Sequence, residues 1–356
     1  MKVLFSCSDK PTISRNRFHR NALADHFDYS ECISHGKTYV TRIPSILLHL
    51  PFQMIGKDFY FVSYMGHFLV IFMRLFTKKP IVFDFYLSIY DMMCHDRKVF
   101  SPDSFMGKIT YWIEKKSLKK ADYVIVDTYT LIKTLSDMYG ISKEKFVRVP
   151  LTINEENIFK KDVKSYKDVF TVLYVGSYIP LHGTEVIIEA AKLLQEKNED
   201  IFFLMIGQGA NLKKCKSLAV KYTLKNIEFK GFMSLKELNY YYNATDINLG
   251  LFNTGERANS VVLNKTNDSF RVGKPHLTLE TDAMKEAFSD NDDIFYVKDI
   301  QANTLAERII EIKMNPSLLQ SVGERALQSY DEKLSNAKAT HILETEIFSK
   351  LKKDSK

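Results

Sequence analysis

Short apolar runs alternate with helix-like segments along the whole chain, and this alternation restricts the fold more than any other feature of the sequence. Each run has the length of a strand, and each is followed by a segment with helical periodicity. Parallel strands need such crossovers, so the pattern predicts parallel α/β sheets. The predicted strands are 2–7, 58–64, 80–85, 121–127 and 146–150, followed by 169–175, 201–206, 227–229, 247–252, 275–279 and 294–297.

The alternation is interrupted once, which predicts two domains. A chain of 356 residues is also too long for one ordinary domain. Residues 151–168 have little periodicity and mix acids with lysines, so they are predicted to hold the linker. The predicted domains are 1–155 and 165–332, and a last helix, 333–352, is predicted to cross back onto the first domain.

Composition excludes several classes of protein. Hydrophobic residues make up 45% and charged residues 26% of the chain, which is typical of globular domains. The four cysteines form no CxxC pair, so neither a disulfide framework nor a zinc site is supported and a cytoplasmic location is expected. Residues 2–7 are too short for a signal peptide. The apolar stretch 59–76 is interrupted by polar residues and predicts a strand and a helix rather than a membrane span.

The net charge of +7 comes entirely from residues 1–160. A basic, aromatic-rich half is compatible with an anionic membrane surface or an acidic substrate, and no nucleic-acid motif accompanies it. Residues 47–52 (LLHLPF) are a candidate interfacial patch, with core packing as the alternative. A basic segment after the first strand contains Lys10, Arg15, Arg17 and Arg20, and it is expected to face a ligand crevice. The alternative for Arg17 and Arg20 is that they are solvated positions on the next helix.

Glycine-containing turns follow three strands of the second half. The turn 176–183 (GSYIPLHG) leads into a helix, whose amino end favours an anion. Gly207 and Gly209 end the next predicted strand. Phe232 follows a third strand and could pack against a nucleobase; the alternative is that Phe229 and Phe232 belong to the core. Together these turns predict one ligand crevice in this domain.

A polar helix is predicted to begin near residue 264 and to end before Gly273, after strand 247–252. It would carry Lys265, Asp268 and Arg271 near one face, so that a carboxylate suited to sugar hydroxyls lies beside cations suited to phosphate. The alternative is a surface helix with an Asp268–Arg271 ion pair, which would contribute little to stability.

The motifs of the second half resemble, in their order, the donor-binding domain of family 4 glycosyltransferases: VLYVGSYIPLHGTEVIIEAA, FFLMIGQGANL, IEFKGFMSLKELNYYYNATDINLGLF and NKTNDSFRVGKP. Those of the first half resemble the N-terminal domain of bacterial members that build surface polysaccharides: FVSYMGH, PIVFDFYLSIYD, HDRKVFSPDSFMGKITYWIEKKSLKKADYVIVDT and VRVP. The resemblance covers residues 1–345. It implies the GT-B fold, an α/β architecture of two Rossmann-like parallel-sheet domains facing a central cleft, with the acceptor in the first domain and a nucleotide sugar in the second.

By position, the resemblance implies a donor site in the second domain. Asp268 would hold the ribose hydroxyls, and Phe232 and Met233 would lie near the nucleobase. The donor sugar would lie near loop 256–260. The implied donor-binding residues are Gly176, Ser177, His182, Gly183, Gly207, Phe232, Met233, Ser260, Lys265, Asp268 and Arg271.

The sequence departs from the family pattern at four of these positions. The family commonly has Arg where Ser177 stands and Lys where His182 stands. A Glu, seven residues, Glu pattern falls here on Ser260 and Asp268. The departures weaken the case for diphosphate stabilisation unless other cations replace the lost charge. The replacements expected are His182, Lys265 and Arg271.

In the first domain, His67 and Asp91 are the predicted catalytic residues, at the ends of strands or in the loops that follow them. A structural histidine and a helix cap are the respective alternatives. Three further candidates were Asp84, Asp96 and Arg97, the last two with a mutual ion pair as the alternative.

The predicted activity is metal-independent, retaining transfer from a nucleotide sugar to a glycan or polyprenyl-linked acceptor in cell-surface polysaccharide biosynthesis, without a cofactor. The location predicted is the cytoplasm, with peripheral contact at the inner face of the membrane. A non-catalytic relative that binds a nucleotide sugar or partner enzyme, and a nucleotide-sugar epimerase, are the alternatives.

Overall fold

The structure is a computed structural model that describes residues 1–8, 13–34, 36 and 39–354. The chain divides into two compact units, Met1–Thr152 with Asn336–Lys356, and Ile153–Ser335. The unit boundary therefore lies at the start of the predicted linker. Most of that linker belongs to the second unit, where Ile153 and Ile158 are buried in the core. Lys10, predicted in the basic segment, lies outside the described residues.

The first unit is built on a six-stranded sheet in the order β2-β1-β3-β4-β5-β6, with all neighbours parallel. Its strands are β1 (Lys2–Cys7), β2 (Asp28–Cys32), β3 (Phe59–Ser63), β4 (Ile81–Asp84), β5 (Tyr123–Val126) and β6 (Phe146–Arg148). The central strands are mostly apolar because helices cover both faces of the sheet. Strand β2 is an edge strand whose polar sequence, DYSEC, gives no strand signal, and it was not predicted.

Six helices connect these strands: α1 (Ser14–His26), α2 (Tyr39–Gln53), α3 (His67–Phe76), α4 (Ile89–Asp91), α5 (Phe105–Lys120) and α6 (Tyr129–Tyr139). The apolar stretch 59–76 forms β3 and α3, as the sequence predicts. Helix α5 begins after a Ser104 cap, and α6 begins after a Thr128 cap and ends at Gly140. Helix α2 was not predicted as a helix, since Pro44 and Pro51 lie inside it.

The second unit has the sheet order β12-β11-β10-β7-β8-β9, again with all neighbours parallel. Its strands are β7 (Phe170–Val175), β8 (Ile201–Ile206), β9 (Ile227–Lys230), β10 (Ile247–Leu249), β11 (His276–Leu279) and β12 (Phe295–Val297). Its helices are α7 (Thr184–Glu196), α8 (Leu212–Lys221), α9 (Leu235–Ala244), α10 (Glu256–Ser260), α11 (Asn264–Arg271), α12 (Asp282–Lys285), α13 (Ala302–Lys313) and α14 (Pro316–Ser329).

The C-terminal segment returns to the first unit. It contains α15 (Asn336–Leu343) and α16 (Ser349–Asp354), joined by a π-helical turn at Glu344–Phe348. The helix predicted over 333–352 is present as this helical segment, which begins at Asn336 and contains one π-helical turn. The segment keeps an apolar side on the first-unit core, where Leu343, Ile347 and Leu351 are fully buried.

Candidate functional site

The site lies at the point in the second sheet where the order of the strands reverses. Strand β7 has β8 on one side and β10 on the other. The connection from β7 leads to β8 and the connection from β10 leads away to β11, so their right-handed crossovers lie on opposite faces. A crevice opens at the carboxyl ends of two such strands, and this is the place where open parallel sheets bind ligands. Gly176 follows β7 and Gly250 follows β10 at this point.

Glycine is required at two turns that shape the crevice. A Cβ on Gly207 would lie 2.0 Å from the carbonyl oxygen of Gly176, so the turns after β7 and β8 touch backbone to backbone. Gly183 has φ +60°, and a Cβ there would lie 1.9 Å from the carbonyl oxygen of Phe252. Gly183 is the residue that precedes α7, so the chain after β10 is packed directly against the amino end of that helix.

The ammonium group of Lys265 reaches this crevice from the first turn of α11. Its Nζ lies 4.1 Å from the centre of the Tyr174 ring and 3.4 Å from the carbonyl oxygen of Gly250, to which it donates. A Cβ on Gly176 would lie 2.9 Å from the same Nζ. Lys265 therefore touches the ends of both β7 and β10, the two strands that define the crevice.

Burial makes Lys265 an unusual cation. Its side chain is 7% exposed, and burial lowers the pKa of Lys265 to about 7. Within the described parts of the chain, no carboxylate forms an ion pair with it. A bound anion would favour the charged form of the amine and compensate for its burial. The arrangement is therefore suited to an anionic ligand.

His182 and Tyr174 form a hydrogen-bonded pair beside this cation. The Nδ1 of His182 lies 2.6 Å from the carbonyl oxygen of Ser177, and because a carbonyl only accepts, the ring proton is on Nδ1. The Tyr174 hydroxyl donates to the same carbonyl at 2.9 Å and lies 2.8 Å from Nδ1. Burial, together with nearby Lys265, lowers the pKa of His182 to about 2. His182 is therefore neutral in this structure, and its replacement of a missing positive charge at a bound diphosphate stays a prediction.

Asp268 lies one turn after Lys265 on α11, which is a buried helix. Six consecutive residues of α11, from Lys265 to Phe270, are buried. The alternative of a surface helix is therefore wrong. The Tyr242 hydroxyl donates to the Asp268 carboxylate at 3.2 Å. Burial raises the pKa of Asp268 to about 7, with the Tyr242 hydrogen bond acting in the opposite direction.

Arg271, the third polar residue predicted on this face, has other neighbours. It lies 3.6 Å from Asp331 and its guanidinium is 5.4 Å from the centre of the Tyr330 ring. Of the two cations predicted on this helix, Lys265 is the one that the structure brings to the ends of β7 and β10.

The remaining donor-site candidates lie on connections that follow strands. Ser177 is exposed after β7, and Ser260 is buried at the end of α10, where its hydroxyl donates to the carbonyl oxygen of Arg257 at 3.4 Å. Phe232 is 73% exposed after β9, so it is not a core residue, whereas Phe229 and Met233 pack partly against the core. An exposed aromatic ring on this connection is available for stacking.

In the first unit, His67 is a buried histidine at the start of α3. It is 1% exposed, and its ring lies 5.0 Å from that of Phe83 and 5.3 Å from that of Phe85. Its Nε2 is 3.9 Å from Glu114, and burial lowers the pKa of His67 to about 3. The structure thus places His67 as a neutral side chain among aromatic rings. A direct role in catalysis stays a prediction.

Asp91 ends the short helix α4, which a buried carboxylate holds in place. The helix cap is Ser88, whose hydroxyl accepts from the Asp91 amide at 2.9 Å and donates to Glu114 at 2.8 Å. Glu114 also accepts from the Tyr90 amide and the Tyr139 hydroxyl. Burial raises the pKa of Glu114 to about 7, although these hydrogen bonds lower it in part. Asp91 is half-buried, and its catalytic role also stays a prediction.

Sequence reasoning missed the partner of Asp84. Arg15 on α1 donates to both carboxylate oxygens of Asp84, with Nε at 2.8 and 3.0 Å, and the Ser63 hydroxyl donates to it at 2.8 Å. Burial alone would raise the pKa of Asp84, but Arg15 and His19 hold it well below its usual range. Arg15 was expected in a basic loop facing a ligand crevice; it lies instead on α1 and is 4% exposed. The sequence carries no signal that pairs two residues so far apart.

Two further features are absent from the described residues. None of their helices is both long and apolar enough to cross a membrane. The same residues hold no group of three or more histidine, cysteine, aspartate or glutamate side chains arranged to bind a metal ion.

Comparison with known sequences agrees with the location of this site. Residues 155–329 match the family model of glycosyl transferases group 1, which spans most of the second unit. Two uncharacterized glycosyltransferases of Methanocaldococcus jannaschii are each 25% identical, one over 62% of this chain and 58% of its own length, the other over 46% and 43%. The chain therefore spans about half the length of these curated relatives. The resemblance seen in the second half of the sequence is confirmed, because residues 155–329 match the family of group 1 glycosyl transferases.

Comparison with solved structures identifies the fold. A sucrose-phosphate synthase from Thermosynechococcus elongatus is 14% identical, with a TM-score of 0.79 over 99% of both chains. HepE from Anabaena, solved with UDP, is 12% identical, with a TM-score of 0.74 over 98% of this chain and 100% of that one. At these identities the likeness shows the fold alone, and it confirms the predicted GT-B class.

Proposed function

We propose that this chain is a retaining glycosyltransferase that moves a sugar from a nucleotide-sugar donor to a glycan or polyprenyl-linked acceptor in cell-surface polysaccharide biosynthesis. The observation that carries the proposal is the buried ammonium of Lys265, without a carboxylate partner among the described residues, at the carboxyl ends of β7 and β10. A nucleoside diphosphate is the anion that such a position in a glycosyltransferase domain would bind.

The diphosphate would interact with Lys265 and with the amino end of α7. The ammonium is buried, so its interaction with phosphate oxygens is screened less than at a surface. The backbone amides at the start of α7 add the partial positive charge of a helix amino end. These groups would stabilise the leaving diphosphate as its charge develops. We therefore propose that the transfer needs no metal ion.

The nucleoside would be held by Asp268 and by the connection after β9. A carboxylate accepts hydrogen bonds from two ribose hydroxyls, and Asp268 is already oriented by the Tyr242 hydroxyl. The exposed ring of Phe232 would stack on the base. UDP is the first nucleotide to test, since the structures of HepE with UDP and with UDP-glucose share this fold.

Transfer onto a lipid-linked acceptor would place the protein in the cytoplasm at the inner face of the membrane. The proposed acceptor-binding unit is the first one, which has a formal net charge of +10 against −3 for the second unit. His67 and Asp91 remain its proposed catalytic residues. No cofactor is proposed.

One observation favours a second function, a non-catalytic protein that binds a nucleotide sugar. The two family cations are absent, and His182, which stands at one of those positions, is neutral. The leaving group would then be stabilised by fewer charges than is common in this family.

Turnover distinguishes these functions. Purified protein is incubated with UDP-sugars, with and without a glycan acceptor and in the presence of EDTA, and products are followed by mass spectrometry and by NMR of the anomeric proton. Acceptor-dependent release of UDP with retained anomeric configuration is the expected result. Donor binding without release would support the non-catalytic function, and interconversion of donors without acceptor would indicate an epimerase.

A further inference from the structure

Exposed apolar side chains concentrate on one part of the first unit. In the described chain, more than half of the large hydrophobic residues that are exposed lie on or next to α2, α3 and α5. We call this set the apolar face; it consists of Leu48, Phe52, Ile55, Phe68, Leu75, Phe76, Phe105, Met106 and Trp112. A group of exposed large apolar side chains on neighbouring helices indicates an interaction site rather than ordinary protein surface.

A groove of about 490 Å³ joins the three helices within this face. Three exposed side chains also line this groove: Phe68 and Leu75 of α3 and Trp112 of α5. Its lining is apolar and contains aromatic rings, and it is open to solvent. An alkyl chain would fill such a groove without leaving a polar group unpaired.

Basic residues outnumber carboxylates on the three helices of the apolar face. Helix α5 carries five lysines, and α3 carries Arg74, which pairs with Asp122 just after α5. The one carboxylate on these two helices is Glu114, which is fully buried. The Lys116 ammonium lies 5.8 Å from the centre of the Trp112 ring, so cations stand directly beside exposed aromatic surface.

We propose that the apolar face is a docking surface for an anionic lipid membrane, with an acyl chain in the groove and the lysines of α5 at the phosphate level. Aromatic side chains flanked by lysines are suited to the boundary between headgroups and acyl chains. A second copy of the chain is a poorer fit, because a symmetric contact through this face would bring α5 lysines against each other.

The inference deepens the proposed function, since it names the surface that would bring the protein to a lipid-linked acceptor. Its test needs neither donor nor acceptor. Failure of membrane binding would leave nucleotide binding and turnover on a water-soluble acceptor unaffected, so the two proposals fail separately.

Trp112 is the one tryptophan of the chain, 55% exposed on the apolar face, and reports binding directly. The full chain is titrated with vesicles of phosphatidylglycerol and phosphatidylcholine, and with phosphatidylcholine alone. We expect anionic vesicles to shift the Trp112 emission to shorter wavelength, and brominated acyl chains to quench it. Sedimentation of the protein with the vesicles measures partitioning.

Two double variants test the two parts of the surface. Lys119→Gln with Lys120→Gln should reduce partitioning roughly 25-fold, at about fivefold for each charge. Leu75→Ser with Phe105→Ser should reduce it at least roughly tenfold, because both side chains would enter the lipid. Both residues of the second pair are at least 75% exposed, so folding should be retained, as circular dichroism will show.

Matched control substitutions lie in the second unit. Val220→Ser with Met314→Ser also removes two exposed apolar side chains, 78% and 76% exposed, and should leave partitioning unchanged. The proposal is overturned if wild type does not bind anionic vesicles, or if the Leu75 and Phe105 variant binds as tightly as wild type. A wild-type dimer that Leu75→Ser dissociates, without vesicle binding, would assign the face to a second copy instead.

Discussion

Replacing Lys265 by methionine should make the protein more stable while it weakens donor binding. Burial lowers the pKa of Lys265 from 10.5 to about 7. At about 1.4 kcal/mol for each pKa unit, holding this ammonium in the folded protein costs roughly 5 kcal/mol at pH 6. Methionine keeps the length and the apolar stem but has no charge to bury. The contact with the Tyr174 ring, worth about 1–2 kcal/mol, is lost in exchange.

The sign and size of the effect change with pH. The unfolded chain keeps its lysine proton up to pH 10.5, whereas the folded protein loses it near pH 7. Wild type therefore gains stability relative to the variant as pH rises through this window, and the cost of the lysine falls to roughly 2 kcal/mol at pH 9. The stabilisation by Lys265→Met should accordingly decrease by roughly 3 kcal/mol between pH 6 and pH 9.

Urea denaturation of both proteins at the two pH values measures this difference. Lys236→Met on α9, where the lysine is exposed, is the matched control and should change stability little at either pH. The reasoning is refuted if Lys265→Met destabilises the protein at pH 6, or if its effect is the same at pH 6 and pH 9. A calorimetric titration should show donor diphosphate binding at least roughly tenfold weaker, since a charge-assisted hydrogen bond is worth about 1.5–3 kcal/mol.

Three further substitutions test other parts of the structure. Gly183→Ala should cost at least roughly 2–3 kcal/mol in thermal denaturation, because its φ is +60° and its Cβ would meet the Phe252 carbonyl oxygen at 1.9 Å. Wild type should lose stability as pH rises from about 4 to 7, because the folded Asp268 carboxyl holds its proton up to a pKa of about 7 while the unfolded one releases it near 3.8. Asp268→Asn should abolish this loss of stability. Glu114→Gln should lower the free energy of unfolding by about 1–3 kcal/mol at pH 8. The amide nitrogen of glutamine would face groups that now donate hydrogen bonds to the carboxylate.

Each of these has its own control. Gly140→Ala also places alanine at a positive φ, +63°, but has open space around its Cβ, and should cost only about 1 kcal/mol. Equal losses for the two glycine variants would contradict the close approach at Gly183. Parallel pH profiles for wild type and Asp268→Asn would contradict the burial of that carboxyl, and an unchanged urea midpoint for Glu114→Gln would contradict its role in holding α4.

The course of the chain was predictable where local pattern and buried surface agree. Helix α11 begins at Asn264, as predicted. It also ends before Gly273, as predicted, because Gly273 and Pro275 do not continue a helix. Strand β2 and helix α2 were missed because a polar edge strand lacks an apolar pattern and internal prolines argue against a helix. The π-helical turn at Glu344–Phe348 has no marker in the sequence either, since the segment keeps a helical apolar pattern across it.

Within the site, residue identity was predictable and environment was not. The positions of Lys265 and Asp268 on one helix follow from their spacing. Their burial depends on strands and helices distant in the chain, and so do the pKa changes of both groups. The hydrogen bonds of His182 with Tyr174 and of Asp268 with Tyr242 likewise arise only once the second unit has folded.

The most direct test of the account is a calorimetric titration of UDP into wild type and Asp268→Ala, without metal. Glu196→Ala, which removes an exposed carboxylate from α7, is the control. The account predicts that wild type and the control bind UDP equally, and that Asp268→Ala binds at least roughly tenfold more weakly. Equal affinity of all three proteins for UDP would contradict a donor site at the crevice between β7 and β10.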